Sequence, residues 1–228
     1  MLHRLVQDLQ GDTIIARDGE IGSLADAYFD DEHWTLRYLV IDTGRWLPGR
    51  QVLVSPKAAA QVDDDVLRLE LSRSQIEGAP GIDADPPVSK LMRLAHQRQY
   101  VHPYTGPFLW GMMPPAVPPA EGLQPQSPAE REAARQAEQR AERSHLRSSN
   151  EVAGYRIRAV DGELGHVEDF VVDDASWLIT GMIVDTKSWL PGGHVVVPPS
   201  AVDGIDALQQ EVSVRLRRDE LKSAPEAR

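Results

Sequence analysis

Cysteine is absent from the 228 residues, and that absence excludes a disulfide scaffold, a thiolate metal site and any cysteine nucleophile or redox pair. It fits a reducing cytoplasm, the compartment expected for this chain. Aromatic residues are scarce at 6%. No stretch approaches the roughly 18–20 consecutive apolar residues of a spanning helix, so a protein without a transmembrane segment is expected. The opening Met1-Leu-His-Arg-Leu-Val-Gln-Asp8 lacks the basic flank and apolar stretch of a signal peptide. Positive charge is scarce as well: 24 basic against 35 acidic residues leave a formal charge of −11.

That charge is unevenly spread. Residues 1–86 carry 8 basic and 16 acidic groups, residues 87–150 carry 8 and 5, and residues 151–228 carry 8 and 14. Two acidic blocks thus flank a mildly basic middle. A phosphate backbone demands clustered Lys and Arg, which neither outer block offers. In the middle, Arg131, Arg135, Arg140, Arg143 and Arg147 alternate with Glu130, Glu132, Glu138 and Glu142, the mixture of a solvated helix surface. No nucleic-acid partner is expected.

What is present is an internal repeat. Residues 18–56 align with residues 161–199 without a gap, and 17 of the 39 positions are identical. Asp18-Gly-Glu-Ile-Gly22 returns as Asp161-Gly-Glu-Leu-Gly165, Asp30-Asp31 and Trp34 as Asp173-Asp174 and Trp177, and Trp46-Leu47-Pro48-Gly49 as Trp189-Leu190-Pro191-Gly192. Further on, Leu67-x-Leu69-x-Leu71 matches Val212-x-Val214-x-Leu216, so the second copy has two extra loop residues. The chain is a tandem duplication.

Each copy reads as short strands separated by turn signals. Thr13 to Arg17 is followed by Asp18-Gly19, a tight-turn pair. Ile21 to Phe29 is a second strand, with Gly22 marking a bulge or bend. Asp30-Asp31-Glu32 makes a hairpin turn, because Asp side chains bond the backbone two residues on. Trp34 to Asp42 places Leu36, Tyr38 and Val40 on one side and Leu39 and Ile41 on the other, which implies burial on both faces. Pro48 and Gly49 hold the two central positions of a type II turn. Gln51 to Ser55 and Val66 to Leu71 complete the strands, and Ser72-x-x-Gln75 is a capping box opening a short helix. Such a pattern suggests a small closed or half-closed β-barrel. Its thin core supplies only about 3–5 kcal/mol, so packing against the second copy or a second chain is expected.

Between the copies the composition changes. Residues 103–128 hold eight of the seventeen prolines, an extended polyproline-like linker. Four of the thirteen aromatics, Tyr100, Tyr104, Phe108 and Trp110, fall within eleven residues there; they either fold back on the first copy or contact a partner. Ser127-Pro128 then supplies an N-cap and a first-turn proline for an Ala/Glu/Arg helix running to about Leu146.

The motifs Asp-Gly-Glu-Ile-Gly22, Tyr28-Phe-Asp-Asp31, Trp34 to Val40, Asp42-Thr43 and Trp46-Leu-Pro-Gly-Arg50, with their second-copy equivalents, resemble the PRC-barrel family. That family includes the cytoplasmic domain of the photosynthetic reaction-centre H subunit and the C-terminal barrel of a ribosome-maturation factor. The resemblance implies a mainly β fold of two small barrels in tandem: 1–86, then 87–148 as Pro-rich linker plus polar helix, then 149–228. It implies a non-enzymatic binding module with an unknown protein partner. Alternatives are a peripheral or assembly component of a reaction-centre-type membrane complex, or an accessory factor of the ribosome and RNA processing. No functional residue carries over, since the chain has neither the H subunit's membrane helix nor the maturation factor's extra N-terminal barrel.

Candidate chemistry is thin. Asp30-Asp31 and Asp173-Asp174 offer oxygen ligands for a divalent cation, but their position between two strand patterns makes a hairpin turn the better account. His166-x-Glu168-Asp169 lies on a strand whose first-copy equivalent of His166 is Ser23. No nucleophile elbow, Gly-rich phosphate loop or helical zinc motif appears. No catalytic residue, cofactor or metal site is expected. The candidate interface residues are Trp46, Leu47, Pro48, Gly49, Trp189, Leu190, Pro191, Gly192, Tyr104, Phe108 and Trp110, since a Trp beside a rigid turn is an anchor that binding surfaces use.

Overall fold

Runs of Val, Ile and Leu between Gly- and Asp-containing turns become strands, because branched side chains pack well on a pleated, half-buried surface. The computed structural model describes residues 3–44, 46–63, 65–97, 127–186 and 193–221. The first half contains β1 (His3–Leu5), α1 (Val6–Leu9), β2 (Thr13–Ala16), β3 (Gly19–Asp30), β4 (Thr35–Asp42), β5 (Gln51–Val54), β6 (Ala59–Val62), β7 (Val66–Leu69) and α2 (Arg73–Glu77). The connecting region contributes α3 (Val88–Gln97) and α4 (Pro128–Arg143), packed on each other. The second half repeats the plan as β8 (Leu146–Ser148), α5 (Ser149–Val152), β9 (Arg156–Ala159), β10 (Gly162–Asp173), β11 (Ile179–Asp185), β12 (His194–Val197), β13 (Val202–Asp206), β14 (Glu211–Val214) and α6 (Arg218–Leu221). No described helix is long and apolar enough to cross a membrane.

The strands form two mixed sheets of seven. One runs β5-β4-β3-β2-β7-β6 and the other β12-β11-β10-β9-β14-β13. The pairs β2–β7 and β9–β14 are parallel and the rest antiparallel. Two closed or half-closed barrels were the expectation; in both sheets the hydrogen-bonded order is open and does not close into a barrel. In the first sheet the free edge of β5 is taken instead by the chain that follows α2: the Leu53 amide donates to the Pro80 carbonyl, and Val52 bridges Gly81.

The seventh strand of each sheet comes from the other half. β1 pairs with β10, through His3 opposite Asp173 to Leu5 opposite Val171. β8 pairs with β3, through Leu146 opposite Asp30 to Ser148 opposite Tyr28. β1–α1 and β8–α5 occupy equivalent positions in the repeat, so the exchange is reciprocal. Leu146–Ser148, counted with the connector on sequence grounds, is therefore the first strand of the second repeat.

The two halves consequently share one core. Phe29 and Phe170, both fully buried, meet with ring centroids 5.0 Å apart, and Trp34 stacks on Phe29 at 5.7 Å. Within β4, Leu39 and Ile41 enter this core, while Tyr38 and Val40 face a separate small cluster with Tyr28, Leu53 and Leu146. Both faces are buried, as the apolar pattern implies, but Leu36 joins Leu39 rather than Val40. The cause is a β-bulge: Tyr28 pairs with Tyr38 but Phe29 with Leu36, and skipping Arg37 turns Leu36 to the main core.

Candidate functional site

Three features could carry function: the Trp-Leu-Pro-Gly turn, the seam between the halves, and a cluster of charged residues at the β3–β4 hairpin. The turn is pinned from within. The Arg50 amide donates to the Leu47 carbonyl at 3.1 Å, Gly49 takes φ +75°, and Pro48 precedes it, as a type II turn requires. The buried Thr43 hydroxyl shares its proton between the carbonyls of Leu47 and Arg50, each 2.7 Å away. Arg50 reaches the Ala79 carbonyl at 2.9 Å. Trp46 is half-buried against the main core, with the Arg73 guanidinium carbon 5.9 Å from its ring centroid. It is a root of the turn rather than a free anchor, and the exposed tip is Pro48-Gly49 with Leu47 half-buried beside it. Trp189, Leu190, Pro191 and Gly192 lie outside the described residues, as do Tyr104, Phe108 and Trp110.

The seam has a pseudo-twofold arrangement. The Leu36 amide donates to the Trp177 carbonyl at 2.9 Å, and the Ile179 amide to the Trp34 carbonyl at 2.8 Å, with Thr35 and Leu178 bridging between. Trp34 and Trp177 both adopt positive φ, 52° and 60°, a strained setting for a bulky side chain that the surrounding contacts impose. Each exchanged element is also held by a carboxylate of the half that receives it. Asp169 accepts from the Gln7 amide of α1 at 3.2 Å, and Gln7 Nε2 donates to the Glu168 carbonyl at 2.7 Å. In mirror fashion Asp26 accepts from the Asn150 amide of α5 at 3.2 Å, and Asn150 Nδ2 donates to the Ala25 carbonyl at 2.9 Å. The hydroxyls of Ser148 and Ser149 add two further bonds to Asp26. Burial pushes the Asp169 carboxyl up to about 6, against the opposing hydrogen bonds from Phe170 and Gln7. Burial raises Asp26 likewise, against its larger set of donors.

At the β3–β4 hairpin, Asp30 Oδ1 accepts from the amides of Glu32 and His33 at 3.0 and 2.9 Å, the Asp-centred turn anticipated from sequence. Burial alone would raise the Asp30 carboxyl, but the His33 and Glu32 donors and nearby Arg37 hold it below its ordinary range. Asp173 builds the same turn with the amides of Ala175 and Ser176. The first hairpin also meets the chain at the start of β8: Asp31 pairs with Arg147 at 2.6 Å and with His145 Nδ1 at 2.9 Å.

Sequence reasoning missed the roles of Asp26 and Asp169. Their identity in the repeat was the available signal, but their partners, Asn150 and Gln7, lie more than 120 residues away. It also missed α3, although Val88, Leu91, Met92 and Ala95 stand at helical spacing.

Residues 3–76 match the PRC-barrel domain family, so the first half holds a PRC-barrel domain, as the sequence motifs imply. The matched segment begins at β1, the strand that sits on the opposite sheet. No curated protein matches the chain.

Proposed function

We propose that the chain is a non-enzymatic tandem PRC-barrel protein that serves as a scaffold for a protein partner, its second half being a second PRC-type unit. The shared strand order of the two halves and their 17 identical positions support the second unit. The observation that carries the binding role is the pinned Trp46–Arg50 turn. Its stem is rooted in the core and its Pro48-Gly49 tip is exposed. A rigid projecting turn loses little conformational entropy on association, which favours a docking role.

The test is affinity capture with the tagged full chain in extract of its native cell, followed by reconstitution with the purified captured partner. Pro48→Asp changes only the exposed tip, and its expected effect is loss of that partner with the unfolding curve unchanged. Trp46→Ala and Trp189→Ala are expected to weaken capture too. Retention of the partner by a folded protein carrying all three substitutions removes the turns from the interface and overturns the reading.

A further inference from the structure

The two hairpins that meet the pseudo-twofold axis share their Asp pair and their turn geometry, but not their side-chain chemistry. In the second half the turn is completed by Ala175 and Ser176, and it forms with the same Asp-to-amide bonds. Glu32 and His33, at the matching positions of the first half, are therefore not needed to make the turn. Ligand atoms of Asp30, Glu32 and His33 lie within 4.8 Å of one another. His33 Nδ1 is 3.2 Å from Asp30 Oδ1 and 3.9 Å from Glu32 Oε2. A second imidazole arrives from 112 residues away, with His145 Nε2 3.8 Å from the same Glu32 oxygen. These donors line an open cleft of about 600 Å³.

We propose that Asp30, Glu32, His33 and His145 form a binding site for a zinc-like divalent ion. Around tetrahedral zinc, with bonds of about 2.0–2.1 Å, neighbouring ligand atoms stand about 3.3 Å apart. The separations of 3.2 and 3.9 Å within Asp30, Glu32 and His33 come within a small side-chain adjustment of that value, while His145, 3.8 Å from Glu32 but outside that close group, must move nearer to complete the set. Two imidazoles with two carboxylates suit zinc or another borderline transition ion, whereas calcium calls for six or more oxygens. His145 is already oriented for such a role. Its Nδ1 lies 2.9 Å from Asp31 Oδ1, a carboxylate that fixes the tautomer and leaves the Nε2 lone pair toward Glu32. Three arginines stand near the cluster: Arg147 pairs with Asp31 Oδ2, and Arg37, 3.5 Å from Asp30 Oδ2, lines the same cleft. Arg143 also lines the cleft.

The ion would act as a strap. His145 directly precedes β8, the strand that the second repeat lends to the first sheet. A metal held between His145 and the β3–β4 hairpin fastens that strand in place, at the one of the two exchange sites where the repeat carries the donors.

The experiment uses the full-length chain, free of any oligohistidine tag, in competition with a chromophoric zinc chelator near pH 7.5. One zinc per chain is expected. His33→Ala and His145→Ala are each expected to weaken zinc binding tenfold or more, and Asp31→Asn to weaken it about tenfold through loss of orientation. The His33 and His145 side chains are 69% and 52% exposed, so these variants keep the apo unfolding curve. His194, which pairs with Glu168 at 2.9 Å on another surface, is the control, and His194→Ala should bind zinc as the parent does. Zinc should also slow amide exchange at Leu146–Ser148 in the parent but not in His145→Ala. The proposal is overturned if the parent takes no zinc from the chelator, if both histidine variants bind like the parent, or if millimolar calcium displaces the zinc.

Discussion

The two halves share a plan but differ in what surrounds it. In both, a long bent strand carries an aspartate, buried in the case of Asp169 and half-buried in that of Asp26, that receives the other half's leading helix, and a Trp with positive φ sits at the seam. The connector helices α3 and α4 touch the second half at Ala207, while the first half has a small apolar cluster of its own. Its outer face carries Tyr28, Tyr38, Val40 and Leu53, and Ile82 packs against it after α2. The matching positions of the second half are Val171, Gly181, Ile183 and Val196, smaller groups in which Gly181 leaves no room for a Cβ beside Val196. The lesson is that the halves keep in common the aspartates and tryptophans that serve the exchange, and diverge on the outer face of β3 and β4. The exchange also separates two senses of a domain. Residues 3–76 are continuous in sequence and match one family, yet their first strand belongs in space to the opposite sheet.

A shared core makes the sharpest claim about that comparison, and it is also where substitutions cost most. Phe29→Ala and Phe170→Ala each remove a fully buried ring and should destabilise by about 3–5 kcal/mol. Because the rings touch across the seam, the double variant should cost less than the sum, with a coupling on the order of 1 kcal/mol in chemical denaturation. Strict additivity would break the picture of one core. Next come the bend glycines. A Cβ on Gly22 would lie 1.9 Å from the Asp42 carbonyl oxygen, and one on Gly165 1.9 Å from that of Asp185. Gly22→Ala and Gly165→Ala should each cost about 3 kcal/mol and lower Tm by roughly 10 °C, since the backbone must move. Both should lower one common transition in calorimetry. Two separate transitions, each sensitive to one glycine, would show that the halves fold independently.

Much of each half was legible in the sequence, because turns and strands are local. Asp18-Gly19, the Asp30 turn, Pro48-Gly49 and the Ser72–Gln75 capping box all appear where their residues place them; in the last, the Gln75 amide donates to Ser72 Oγ and the Ser72 amide to Gln75 Oε1. The exchange was not legible. β1 and β8 are three residues long, too short to show a period, and which sheet a short strand joins depends on contacts more than 110 residues apart. How far each sheet closes was not legible for a related reason. Strand count and alternation specify a curled sheet, but they do not reveal that residues 80–81 take the edge of β5. At the candidate site, Asp30 and Glu32 were visible as a turn. Only the fold brings His145 to them.

A smaller effect separates the two carboxylates that hold the exchanged helices. With its carboxyl raised to about 6 in the folded protein and near 3.9 when unfolded, Asp169 binds its proton more tightly in the native state. Its protonated form therefore contributes stability that is complete below about pH 4 and is lost as pH rises through about 6. Asp169→Asn should flatten the stability curve over that window, measured as urea midpoints from pH 4 to 7. Asp26, with hydroxyl donors from Ser148 and Ser149 that Asp169 lacks, provides the comparison. Superimposable curves for parent and Asp169→Asn would separate that carboxyl from the pH dependence.

The smallest expected effect concerns the two arginines that open α2 and α6. Arg73 donates through its amide to Asp18 at 2.8 Å and through Nη2 to the Glu20 carbonyl at 2.7 Å. Arg218 repeats both contacts with Asp161 and the Glu163 carbonyl. The side-chain bond to the hairpin carbonyl is common to both halves, and truncation to Ala should cost about 1–2 kcal/mol at either site. Arg73 additionally covers Trp46, an interaction worth about 0.5–1 kcal/mol at an exposed site. That increment can be isolated because Arg73→Ala, Trp46→Leu and the double variant form a thermodynamic cycle. A coupling of about 0.5 kcal/mol or more means that α2 steadies the Trp-Leu-Pro-Gly turn through its Trp. A coupling of zero leaves the turn rooted by Thr43 and Arg50 alone, and the rigidity argued for the binding tip would then rest on the backbone.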